Sequence, residues 1–178
     1  MKSADLNDRQ WQPTPSELIL MSIEGLAFLA QFLLCFLFFN SLGFTWLLIL
    51  GGGFFLLSMV LGWRARLAFE ARGEAPEGDS WLHTRKVVET NVYGLVRHPM
   101  YLSFLLISLT LVCLSQHWMN ALLGVVAMGL IINDMRSEEQ SNLARFGDDY
   151  RRYVQKVPRM NLVLGWIRSM RRKRNGDA

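Results

Sequence analysis

Polar residues are distributed along this chain in blocks. Residues 25–63 contain no Asp, Glu, Lys or Arg, and neither do residues 98–133. A membrane-crossing helix needs about 20 apolar residues, each rising about 1.5 Å. Each block is therefore long enough for two crossings and a tight turn. The pattern predicts helices over 18–39 and 42–63, joined at Asn40-Ser41, and over 99–115 and 118–133, joined at Gln116-His117. A soluble helical hairpin of this length would carry a charged face on each helix; these carry none. The fold class expected is all-α and integral to the membrane, with four transmembrane helices as two hairpins in one domain covering 1–178. The second pair is short, so its helices are expected to run past the hydrocarbon as cytoplasmic extensions.

The placement of charge adds an orientation. All 19 Lys and Arg fall in the N-terminal arm, in the segment 64–97 or after Asp134, and neither inter-helix turn has one. Four crossings put those three segments on one side, which the excess of Lys and Arg marks as cytoplasmic. The expected location is a bacterial inner membrane, multi-pass, with both termini cytoplasmic. At 51 % hydrophobic and 19 % charged residues the composition excludes a disordered chain. Two cysteines and three scattered histidines make neither a disulfide framework nor a metal site. The basic run Arg171-Arg172-Lys173-Arg174 ends an amphipathic stretch over 162–170. That pattern suits anionic lipid at the membrane face, and nucleic acid is not an expected partner. Gly51-Gly52-Gly53, Gly124, Ala127 and Gly129 are small residues of the kind that let helices approach in lipid.

Candidate chemistry gathers at the charged ends of the second hairpin. Pro99 suits the first turn of a helix, where its missing N–H costs nothing. Arg97 and His98 then stand at the mouth of that helix, where backbone N–H groups favour an anionic or polar ligand. The fourth span continues with no helix breaker before Gly147, so Asp134 and Glu138 share a face while Arg136 points away. Arg97, His98, Tyr101, Asp134 and Glu138 are thus expected at one end of one hairpin. Spacing alone favours a solvated interface with ion pairs there. Glu24 lies two turns into the first span, with Gln31 on nearly the same face; it either snorkels to the headgroups or lines a substrate cavity. Phe146, Tyr150, Tyr153, Val154 and Val157 recur at helical spacing and predict one apolar face.

Two segments, RKVVETNVYGLVRHPMY at 85–101 and EEQSNLARFGDDYRRYVQKVPR at 138–159, resemble the isoprenylcysteine carboxyl methyltransferase family. These are integral membrane enzymes that use S-adenosylmethionine, in a group that includes phospholipid N-methyltransferases. The resemblance implies a cofactor region over 81–101 and 134–160. It implies that the backbone of Arg85, Lys86, Val87 and Val88 cradles the adenosyl group, that Tyr93, His98 and Tyr101 are site residues, and that Glu138 holds the cofactor's ammonium. Asn91 stands where the family has a glycine before the tyrosine, and Asn tolerates positive φ. Ser103 replaces another glycine.

Asp134 replaces the arginine that faces the acceptor carboxylate in the carboxyl methyltransferases. An acid there repels a carboxylate, so an amine or thiol on a lipophilic or small apolar acceptor is expected. The catalytic candidates are Asp134 and Glu139, as acceptors of an amine proton, with Arg97; Asp134, Arg136 and Glu24 are the substrate-side candidates. The alternative reading is an NADPH-dependent membrane reductase of the sterol-reductase type, which has a similar C-terminal hairpin. A larger membrane domain and a different residue after Arg-His set those enzymes apart from this chain.

Overall fold

The computed structural model describes residues 15–72 and 87–175. Among them the chain is helical throughout: α1 (Pro15–Leu37), α2 (Thr45–Arg72), α3 (Pro99–Ser115), α4 (Trp118–Phe146), α5 (Asp148–Lys156) and α6 (Leu162–Asn175), with a short 3-10 turn at Asn91–Gly94. Three helices are long and apolar enough to cross a membrane, in α1, α2 and α4. At 17 residues, α3 is as apolar but shorter. The exposed large side chains of α1, α2 and α4, among them Phe36, Ile49 and Val125, are the surface that lipid covers in a membrane protein.

The described residues cluster into two compact units. The first, here the membrane unit, comprises 15–60 and 101–136; the second comprises 61–72, 87–100 and 137–175.

Buried polar groups organise the membrane unit. Gln31 of α1 is fully buried; its Nε2 donates to the Asn120 carbonyl at 3.3 Å, and its Oε1 accepts from Ser108 Oγ at 3.0 Å. Asn120 Nδ2 donates back to the Gln31 carbonyl at 3.2 Å. Each such bond contributes about 0.6–2 kcal/mol in lipid, where unpaired polar groups are costly. Gly124 leaves the room: a Cβ there would meet Val112, Gln31 Nε2 and Ser108 Oγ at 3.2–3.4 Å.

Both turns come where the charge-free blocks predict them. Asn40 and Gln116 adopt φ of 53° and 55°. They also tie the hairpins together, since Asn40 N donates to the Leu114 carbonyl and Gln116 exchanges two bonds with the backbone of Phe44, both at 2.9 Å. These bonds stop α1 at Leu37 and start α2 at Thr45, widening the turn relative to the 18–39 and 42–63 expected, while α1 begins earlier, at Pro15, and α2 runs on to Arg72.

In the second unit, Ala65 and Ala68 on the last turns of α2 pack with Val88 and Tyr93, while Val87 joins Tyr150, Tyr153 and Val157. Neighbours in extended chain point to opposite sides, so residues 87–88 bridge two apolar clusters. α6 packs through Gly165, where any Cβ would overlap the Leu95 carbonyl. Gly165→Ala is therefore expected to destabilise the packed state of α6 by about 1–3 kcal/mol. Faster proteolysis within 162–175, with the remaining helices still protected, would be the readout; unchanged proteolysis would contradict this packing.

Candidate functional site

The segment before α3 is held by backbone pairing to the segment after α5. Arg97 N donates to the Pro158 carbonyl at 3.0 Å and His98 N to the Arg159 carbonyl at 3.1 Å. The amides of Arg97 and His98 are thus engaged by the chain itself. Arg97 Nη1 donates to the carbonyls of Val154 and Val157 at 2.8 and 3.1 Å. Tyr153 donates its phenol to the Tyr93 carbonyl at 2.8 Å. Burial pushes the Tyr150 phenol up to about 12, and it pushes up the Tyr153 phenol as well. Both rings therefore stay neutral at physiological pH. Asn91 takes φ 56°, the left-handed conformation for which asparagine substitutes for glycine.

The adjacent glutamates divide between two environments. Glu139 is buried and is the hub of a charged cluster. It accepts from Arg97 Nη2 at 2.8 Å and from His98 Nε2 at 3.1 Å, and it pairs with Arg159 through both oxygens. With three donors on one carboxylate, Glu139 is bound as an acceptor, and Arg97 is bound to it and to two carbonyls. For Glu139 the sequence suggested an acceptor of an amine proton; here its carboxylate is engaged by Arg97, His98 and Arg159. Glu138 points the other way: its side chain is 42 % exposed, against 12 % for Glu139. One Glu138 oxygen accepts from Asn142 at 3.4 Å, and the other stands 3.9 Å from His98 Nδ1, beyond hydrogen-bond range.

Of the residues singled out in the sequence, the second unit gathers Val87, Val88, Tyr93, Arg97, His98, Glu138 and Glu139. Arg85 and Lys86 lie outside the described residues. Tyr101, Asp134, Arg136 and Glu24 belong to the membrane unit. There Glu24 of α1 lies near Asp134 of α4. Arg136 is exposed, as the helix register requires.

Two residues were not legible as site members. Arg159 reaches Glu139 only because the chain reverses after α5, and no periodicity signals that. Asn142 is one turn beyond Glu138 on α4, a spacing that could have flagged it. Two polar atoms of this unit, Thr90 Oγ1 and Arg97 Nε, are buried without a hydrogen-bond partner among the described residues. Compared with protein-family models, with curated proteins and with solved structures, the chain matches none in any of the three.

Proposed function

We propose that this chain is a membrane-embedded, S-adenosylmethionine-dependent methyltransferase. The observation that carries this reading is the arrangement around His98. The second motif's first glutamate is left open to solvent beside it, while its second glutamate is locked to Arg97, His98 and Arg159. A half-exposed carboxylate held on a rigid base fits a cofactor ammonium, and the Thr90 hydroxyl, without a partner among the described residues, fits a polar ligand. Glu138 would hold the ammonium, with the backbone of Val87 and Val88 beside the adenosyl group. When bound, the cofactor supplies an electrophilic methyl group on a sulfonium.

The chain's own residues do the positioning. Glu139, Arg97 and Arg159 fix His98 and the start of α3. Asp134 precedes Glu138 by one turn of α4. The Asp134 carboxylate, with Glu24 nearby, favours a cationic or neutral acceptor head group. It can take the proton that an amine loses before attack, and a thiol is tolerated. A carboxylate is disfavoured, because two unit charges 4 Å apart repel by about 4 kcal/mol at an effective dielectric of 20. An acceptor with an apolar body reaches such a site from the bilayer, which gives a reason for the membrane setting.

The test is methyl transfer from labelled cofactor to an amine lipid, a lipophilic thiol and a prenylcysteine analogue. Turnover on the amine or thiol is expected, falling about 10²–10⁴-fold in Asp134→Asn if an amine is the acceptor. Efficient methylation of the prenylcysteine carboxylate would overturn the acceptor assignment.

In this reading α3 is a fourth crossing and both termini are cytoplasmic. A cysteine replacing exposed Met119, at the α3–α4 turn, should then react with an impermeant maleimide on intact cells. One replacing Arg151 on α5 should react only after permeabilisation. Labelling of both from outside would refute the four-span topology.

A further inference from the structure

The outward face of α6 is the apolar one. Val163, Trp166, Ile167 and Met170 are all exposed, and at about 100° per residue they fall within an arc of roughly 100°. The helix meets the rest of its unit through the opposite side. Gly165 abuts the Leu95 carbonyl, and Arg172 donates to the Gly94 carbonyl at 2.7 Å and to the Lys156 carbonyl at 3.3 Å. An ordinary surface helix does the reverse, burying its apolar stripe and showing water its charges.

The start of α6 is fixed by Asn161, whose side chain accepts from Leu164 N at 2.9 Å; Asn is a favoured residue at this position. The helix contains Arg168, Arg171, Arg172, Lys173 and Arg174 and no acidic residue. Arg171 and Arg174 are exposed. An apolar arc with a tryptophan, accompanied by cations alone, has the composition of a helix that lies in the plane of a membrane interface. The uniform positive charge selects an anionic surface.

We infer that α6 is an interfacial helix that docks its Val163–Trp166–Ile167–Met170 face into an anionic lipid leaflet, while Gly165 and Arg172 fasten it to the segment that leads to Arg97 and His98. Docking would brace that segment from the membrane side. The inference stands on α6 alone and does not depend on the chemistry proposed for the site.

The experiment uses the full chain with Cys35 and Cys113 replaced by Ala and one cysteine introduced as Val163→Cys or Met170→Cys. It carries an environment-sensitive fluorophore in nanodiscs of phosphatidylcholine, with or without phosphatidylglycerol. With phosphatidylglycerol present, spin-labelled lipid should quench the probe and aqueous iodide should not. Neutralising the two exposed cations, Arg171→Gln with Arg174→Gln, should lower the docked population about fivefold per charge, and that loss should be absent in phosphatidylcholine alone. Quenching by iodide and not by lipid would overturn the inference. Protection from both quenchers would assign the face to a protein partner instead. Lipid quenching unaffected by the two neutralisations would remove the anionic selectivity.

Discussion

Replacing Glu139 with Ala is expected to cost about 3–5 kcal/mol of stability, the loss typical of breaking a buried ion pair from one side. The reason is what remains behind. Arg97 keeps a side chain only 8 % exposed, with its carboxylate partner gone, and His98 loses the acceptor at 3.1 Å. Arg159 is less affected because it is 42 % exposed and recovers water. Thermal unfolding of the purified protein in detergent would show a large drop in midpoint for Glu139→Ala and little change for Glu138→Ala, whose side chain already reaches solvent. Removing both members of the buried pair, Arg97→Leu with Glu139→Leu, should cost less than the sum of the single changes, because no unpaired charge is left inside. Equal midpoints for Glu138→Ala and Glu139→Ala would show that the two glutamates are not differentiated as described.

The second large effect is on ligand affinity. Glu138→Gln preserves size and the hydrogen bond from Asn142 but removes the charge that would meet an ammonium. Loss of a charge-assisted bond is worth about 1.5–3 kcal/mol, or roughly 10- to 150-fold weaker binding of S-adenosylhomocysteine, with an unchanged unfolding midpoint. Asp134→Asn, one turn earlier on α4, should leave that affinity nearly intact while lowering turnover. This separates the acceptor role from the cofactor role on a single helix. A variant that loses affinity and stability together would point to a structural role for Glu138 instead.

Much of the helical layout was legible because charge and proline act locally. Pro99 marks the start of α3, the charge-free blocks place both turns, and the lack of a breaker before Gly147 carries α4 through to Phe146. What sequence missed depends on the chain returning to itself. The ends of α1 and α2 are set by bonds between Asn40 and Leu114 and between Gln116 and Phe44, made by residues far apart in sequence. The candidate site divides in the same way. His98 and the glutamate pair were visible as a motif, and helix register separated Arg136 from them. Which of two adjacent glutamates turns inward depends on where Arg97, His98 and Arg159 stand. Arg159 arrives through the Pro158 turn, a feature without a periodic signal. The nearness of Glu24 to Asp134 was hidden for a similar reason, since α1 and α4 are brought together only by the fold of the membrane unit.

The reading of this chain as a methyltransferase rests on a cofactor site built around Glu138 and His98. Calorimetric titration of the purified wild-type protein and of Glu138→Gln, with S-adenosylhomocysteine and separately with NADPH, tests it most directly. The expected result is saturable binding of S-adenosylhomocysteine to the wild type, at least about tenfold weaker in the variant, and no binding of NADPH to either. Binding of NADPH without S-adenosylhomocysteine, or an S-adenosylhomocysteine affinity indifferent to Glu138, would contradict it.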